Sequence, residues 1–182
     1  MKKLVLVVLV FAVLGIVPAF AQSAPSPNPV STTLNFTLNK NESLSMSAAW
    51  AAGNVFTMAF SSNNSDVLGI NITGTWNLAP TRATVDYCFN LTGAPTNADG
   101  VSIAAGNFYG GTTATPSTQL STSATDCGGT TGAKKVAGVT LAPGNRQNNA
   151  GIVTPTFLQV QGASTQAGNY TGGVLTIYAY AN

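Results

Sequence analysis

Residues 168–182 read GNYTGGVLTIYAYAN. Leu175, Ile177, Ala179 and Ala181 alternate with Thr176, Tyr178 and Tyr180, the two-residue period of a strand with one buried face. Gly172 and Gly173 precede it, where a turn calls for positive φ. A chain whose final residues commit to a strand uses them in a sheet. Such an ending fits the last strand of a β-sandwich.

Working outward, the same period recurs roughly every ten residues between turn signals. Leu34, Phe36 and Leu38 alternate across 32–39; Leu44, Met46 and Ala48 across 43–48. A run covers 55–60, another 67–76 with Leu68, Ile70 and Ile72, and another 83–91 with Val85, Tyr87 and Phe89. Short strands follow at 136–141 and 152–161, the latter with Leu158 and Val160 on one face and Phe157 on the other. Pro155 demotes the first half of that run to an edge or a bulge. This spacing predicts an all-β, immunoglobulin-like antiparallel β-sandwich. Residues 93–135 are rich in Gly, Thr, Ser and Ala and predict one or two short strands joined by loops, with Asp99-Gly100 suited to a tight turn.

The N-terminus reads as a targeting segment. Lys2 and Lys3 precede an apolar run over 4–16, and Pro18 leads into Ala19-Phe20-Ala21, an A-x-A cleavage signature. The run is shorter than the roughly 20 residues of a bilayer span, which favours cleavage after residue 21 over an anchor. The expected organisation is a signal peptide at 1–21, a Pro-rich leader at 22–31 (QSAPSPNPVS) and one sandwich domain at 32–182. Secretion or display on the cell surface follows, with no stable membrane span after signal removal.

Removal of the signal changes the electrostatics. Lys40, Arg82, Lys134, Lys135 and Arg146 then face the five acids Glu42, Asp66, Asp86, Asp99 and Asp126, for a net charge near zero. No basic stripe remains for nucleic acid. Charged residues make up 7% of the chain, against about 25% in ordinary soluble proteins. Near-neutral, charge-poor surfaces tend to associate, so self-association or a surface partner protein is expected.

Cys88 and Cys127 are the only cysteines. Export and an even count point to one disulfide, with two free buried thiols as the alternative. The bridge would close a 39-residue separation, worth roughly 4 kcal/mol by loop-entropy reasoning. The chain has no histidine, so no His-based triad or His-metal site is available. The acids stand singly; Asp86 and Asp126 would approach one another only through the disulfide, and solvated acids are the simpler reading. No catalytic residue, metal ligand or cofactor is expected. Trp50, Trp76 and Tyr109 are candidates for stacking on a glycan, with core packing as their competing role.

Gly168 lies twelve residues before Tyr180. This ending resembles the C-terminal strand of chaperone–usher pilins, and residues 167–172 (AGNYTG) resemble a turn of pilins and of spore-coat-U-type secreted domains. Residues 73–80 (TGTWNLAP) add a likeness to secreted proteins of acidobacterial type. The chain departs from pilins in placing Tyr180 third from its end and its cysteines in mid-chain. The resemblance implies a fimbrial or coat-like structural subunit. It also implies a role for 32–39 as an assembly strand that completes a neighbour's sheet through Leu34, Phe36 and Leu38. The same segment can instead fold back within its own chain through the turn at 39–42.

Overall fold

The structure, a computed structural model, describes residues 35, 37–38, 40–59 and 61–182. The chain divides into two units, Met1–Lys40 and Asn41–Asn182. In the first, the described residues Asn35, Thr37, Leu38 and Lys40 are exposed and belong to no strand. The signal peptide, the leader and the side chains of Leu34 and Phe36 lie outside the described residues.

The second unit is a two-sheet antiparallel β-sandwich. Its strands are β1 (Ser43–Trp50), β2 (Val67–Asn77), β3 (Thr84–Gly93), β4 (Phe108–Gly111), β5 (Thr118–Gln119), β6 (Lys134–Thr140), β7 (Gln147–Val160) and β8 (Val174–Ala181). One sheet has the order β1-β2-β7-β4-β5, the other β6-β3-β8, and every strand pairing is antiparallel.

Alternation explains how the sheets face each other. Ile70, Ile72 and Trp76 of β2 and Leu158 and Val160 of β7 enter the core with Val85, Tyr87 and Phe89 of β3 and Phe108 of β4. Fully burying each such side chain is worth about 1.5–3 kcal/mol. Thr156 is buried too, and its hydroxyl donates to the Ile70 carbonyl at 3.0 Å, so no polar group is stranded there. The Tyr87 hydroxyl is less well served. Burial pushes its phenol up, and Thr154 opposes that in part without meeting hydrogen-bond geometry.

Several expectations are corrected. Ala48 is exposed, because only Leu44 and Met46 of β1 pack on the core. The run at 55–60 forms no strand among its described residues; it contributes a single bridge, Met58 to Ser65, inside the loop between β1 and β2. Apolar alternation there is satisfied by Phe56 and Met58 packing on the core from a loop. Gly172 has positive φ (79°) and Gly173 does not. Other expectations agree. Gly100 has φ 79° in a turn where Asn97 Oδ1 accepts from the Asp99 and Val101 amides. Leu158 and Val160 are the buried face of β7. Pro155 lies in the half of β7 that pairs with β2 alone, where one side of the ladder is open among the described residues.

Candidate functional site: the seam between β1 and β8

β1 is the outer strand of the larger sheet and β8 of the smaller. Among the described residues, β1 pairs only with β2 and β8 only with β3. The two strands approach each other across the gap between the sheets. They border a shallow groove of about 330 Å³ lined by Glu42, Leu44, Leu78, Arg82, Ala179 and Ala181.

The final strand places its apolar face here. Leu175, Ile177, Ala179 and Ala181 pack against the core, as their alternation predicts, yet all four are only half-buried. On β3, one strand inward, every residue from Val85 to Phe89 is buried. The core is therefore thinly covered along this side. Two strand edges that are unpaired among the described residues, with apolar side chains between them, can accept an extended chain.

An ion pair clamps one end of the seam. Arg82 meets Glu42 through two nitrogens, Nη2 to Oε2 at 2.8 Å and Nε to Oε1 at 3.1 Å. The Ala79 amide also donates to Oε1 at 2.7 Å. Arg82 Nη1 donates to the Ala181 carbonyl at 3.2 Å, which links the residue before β1 to the end of β8. The Arg82 guanidinium and the Ala79 amide hold the Glu42 carboxyl down to about 2, and Glu42 raises Arg82 in return.

Tyr180 turns away from the core. Its ring stacks on Tyr178 with centroids 6.2 Å apart, its hydroxyl hydrogen-bonds Thr130, and both rings pack against the Cys88–Cys127 disulfide. The bridge predicted from export and count is thus present, with Cα atoms 6.3 Å apart and both cysteines buried. Gly128, beside Cys127, has φ 57° and lies against the Tyr180 ring, so no side chain fits there. Gly168 lies in the bend before β8, next to Asn97.

The aromatic candidates separate by burial. Trp76 is 2% exposed and its indole donates to the Asn145 carbonyl at 2.8 Å, a core role. Tyr109 is half-buried on β4. Trp50 is 37% exposed at the end of β1, set edge-on to Phe56 with centroids 6.3 Å apart. Asp86 and Asp126 each have their own lysine: Lys135 Nζ lies 2.8 Å from Asp86 and Lys134 Nζ 2.9 Å from Asp126. Sequence reading did not pair these groups, nor Glu42 with Arg82; the adjacent Lys134-Lys135 was the one visible signal.

No protein-family model matches the chain, and no curated protein matches it in sequence.

Proposed function

We propose that the protein is an exported structural or adhesive subunit of the cell surface, pilin-like in design, that assembles by strand exchange at the β1–β8 seam. The observation that carries this reading is the half-exposed apolar face of β8 beside two strand edges unpaired among the described residues. The sequence supplies a matching donor: residues 32–39 follow a Pro-rich leader and alternate Leu34, Phe36 and Leu38 with polar residues. Main-chain pairing would provide affinity and the alternate side chains would provide fit. Burying three such groups contributes about 5–8 kcal/mol before ordering costs. The low charge of the chain removes the repulsion that would keep copies apart.

The test is assembly of the full-length processed protein. Multimers that resist SDS should form in the wild type and disappear in Phe36→Asp. A wild-type protein that stays monomeric at high concentration and in cell-surface extracts would remove the reading.

A second reading rests on Trp50. An exposed indole braced by Phe56 is a stacking platform for a sugar ring, as in a monomeric carbohydrate-binding or adhesion module. Glycan-array binding that Trp50→Ala abolishes, in a protein that remains monomeric, would favour it.

A further inference from the structure

The outer face of the three-stranded sheet gathers three side chains of complementary chemistry that the seam does not use. Asp86 lies on β3, Lys135 on β6, and Asn182 follows the end of β8. The carboxylate of the central strand therefore has an amine on one flank and a carboxamide on the other. Lys135 Nζ is 2.8 Å from Asp86 Oδ1, and Asn182 Nδ2 donates to Asp86 Oδ2 at 2.9 Å. The Asp86 side chain is 8% exposed, that of Lys135 45%.

The backbone prepares this meeting. Gly138 is the β6 residue directly opposite Asp86. A Cβ at that position would stand 2.8 Å from Asp86 Oδ1 and 3.5 Å from Lys135 Cε. The missing side chain leaves the space through which Lys135 reaches the carboxylate. Asn182 is held by its main chain: its amide donates to the Thr84 carbonyl at 2.9 Å, and its carbonyl accepts from Thr84 at 3.0 Å and from Ala83. Amine and carboxamide are thus both held by one carboxyl group, each on its own oxygen, so the two reacting groups belong to one chain and need no bimolecular encounter.

We propose that Lys135 and Asn182 become joined by an intramolecular amide bond, with Asp86 as the catalytic carboxyl. Asp86 Oδ1 takes a proton from the Lys135 ammonium, which frees the nitrogen lone pair. Nζ then attacks Asn182 Cγ and the Nζ–Cγ bond forms. Asp86 returns the proton to Nδ2, the Cγ–Nδ2 bond breaks, and a second proton passes from Nζ to the departing nitrogen, which leaves as ammonium. Asp86 ends ionised, as it began. Nothing is oxidised or reduced and no co-reactant is consumed. The carboxyl serves as base and then as acid, the ordinary division of labour in proton transfer. The product ties β6 to the end of β8 across β3, on the same face that the disulfide staples.

Intact-mass and peptide mapping of the purified full-length protein, reduced and denatured, test this. The expected result is a branched peptide that joins Lys135 to Asn182 with the loss of one ammonia. The branched peptide is the readout because Gln22, as the N-terminal residue of a processed chain, can also lose ammonia by cyclising. Lys135→Arg and Asp86→Ala should yield only linear peptides. Asn182→Ala, at an exposed side chain, serves in place of Asp86→Ala if that variant does not fold. Linear Lys135 and Asn182 peptides at full mass, recovered from folded wild-type protein after prolonged incubation, would overturn the proposal.

Discussion

Cys88 stands directly opposite Tyr178 in the ladder between β3 and β8. The disulfide from Cys88 brings Cys127 and the residues after it over the outer face of the smaller sheet, where Tyr178, Tyr180 and Ala133 close around it. A second small core thus sits outside the sandwich. Its cover is a loop segment rather than a third sheet.

That arrangement predicts the cost of removing the bridge. Cys88→Ser should lose roughly 4 kcal/mol, the loop-entropy value for this separation. In a chain of this size that lowers the melting temperature by roughly 8–16 °C. Thermal unfolding with and without reductant checks it, and two reactive thiols in the native protein would contradict the bridge itself.

Gly128 should resist substitution. Its φ of 57° strains any L side chain, and a Cβ would press into the Tyr180 ring. Gly128→Ala is expected to cost about 1–3 kcal/mol. The near-ultraviolet dichroism of the stacked tyrosines should weaken with it, because Tyr180 must move. An unchanged tyrosine signal at unchanged stability would show that the loop does not press on the ring.

The two tryptophans should behave oppositely. Trp76→Ala empties a fully buried site and orphans the Asn145 carbonyl, for a loss of about 3–5 kcal/mol. Trp50→Ala, at a position more than a third exposed, should cost under about 1.5 kcal/mol. Chemical denaturation of the two variants measures both, and acrylamide should quench Trp50 fluorescence far more than Trp76.

The Glu42–Arg82 clamp gives a pH dependence. The Glu42 carboxyl lies at about 2 in the fold against 4.5 ordinarily. A group with a depressed folded value contributes its full stability above the unfolded value and loses it as pH falls through the folded one. The melting-temperature difference between wild type and Glu42→Gln should therefore be constant above about 4.5, shrink below it, and vanish near 2. The pair is exposed, so the difference should be small and should fall with added salt. A difference that persists below pH 2 would assign the effect to something other than the carboxylate charge.

The fold class was legible because sheets write their pattern locally. Val85, Tyr87 and Phe89, or Leu175, Ile177 and Ala179, declare a core-facing side by alternation alone, though the second set ends only half-buried. The run at 55–60 misled for the same reason: alternation names a face that wants cover and does not say that a neighbouring strand exists to pair with it. Of the candidate site, Cys88 with Cys127 was legible from count and compartment, and the apolar face of β8 from its period.

What sequence by itself determined is the set of strands with strong alternation, the disulfide partners and the shortage of charge, all properties of near neighbours or of totals. Tertiary structure alone decided that β1 and β8 border one seam, that Arg82 closes it on Glu42, and that Asp86 holds Lys135 and Asn182 together. Those partners lie 40 residues apart for Arg82 and Glu42 and 96 apart for Asp86 and Asn182. Their meeting depends on strand order and register. Many orders bury the same alternating faces equally well, so hydrophobic periodicity carries no record of which one the chain adopts.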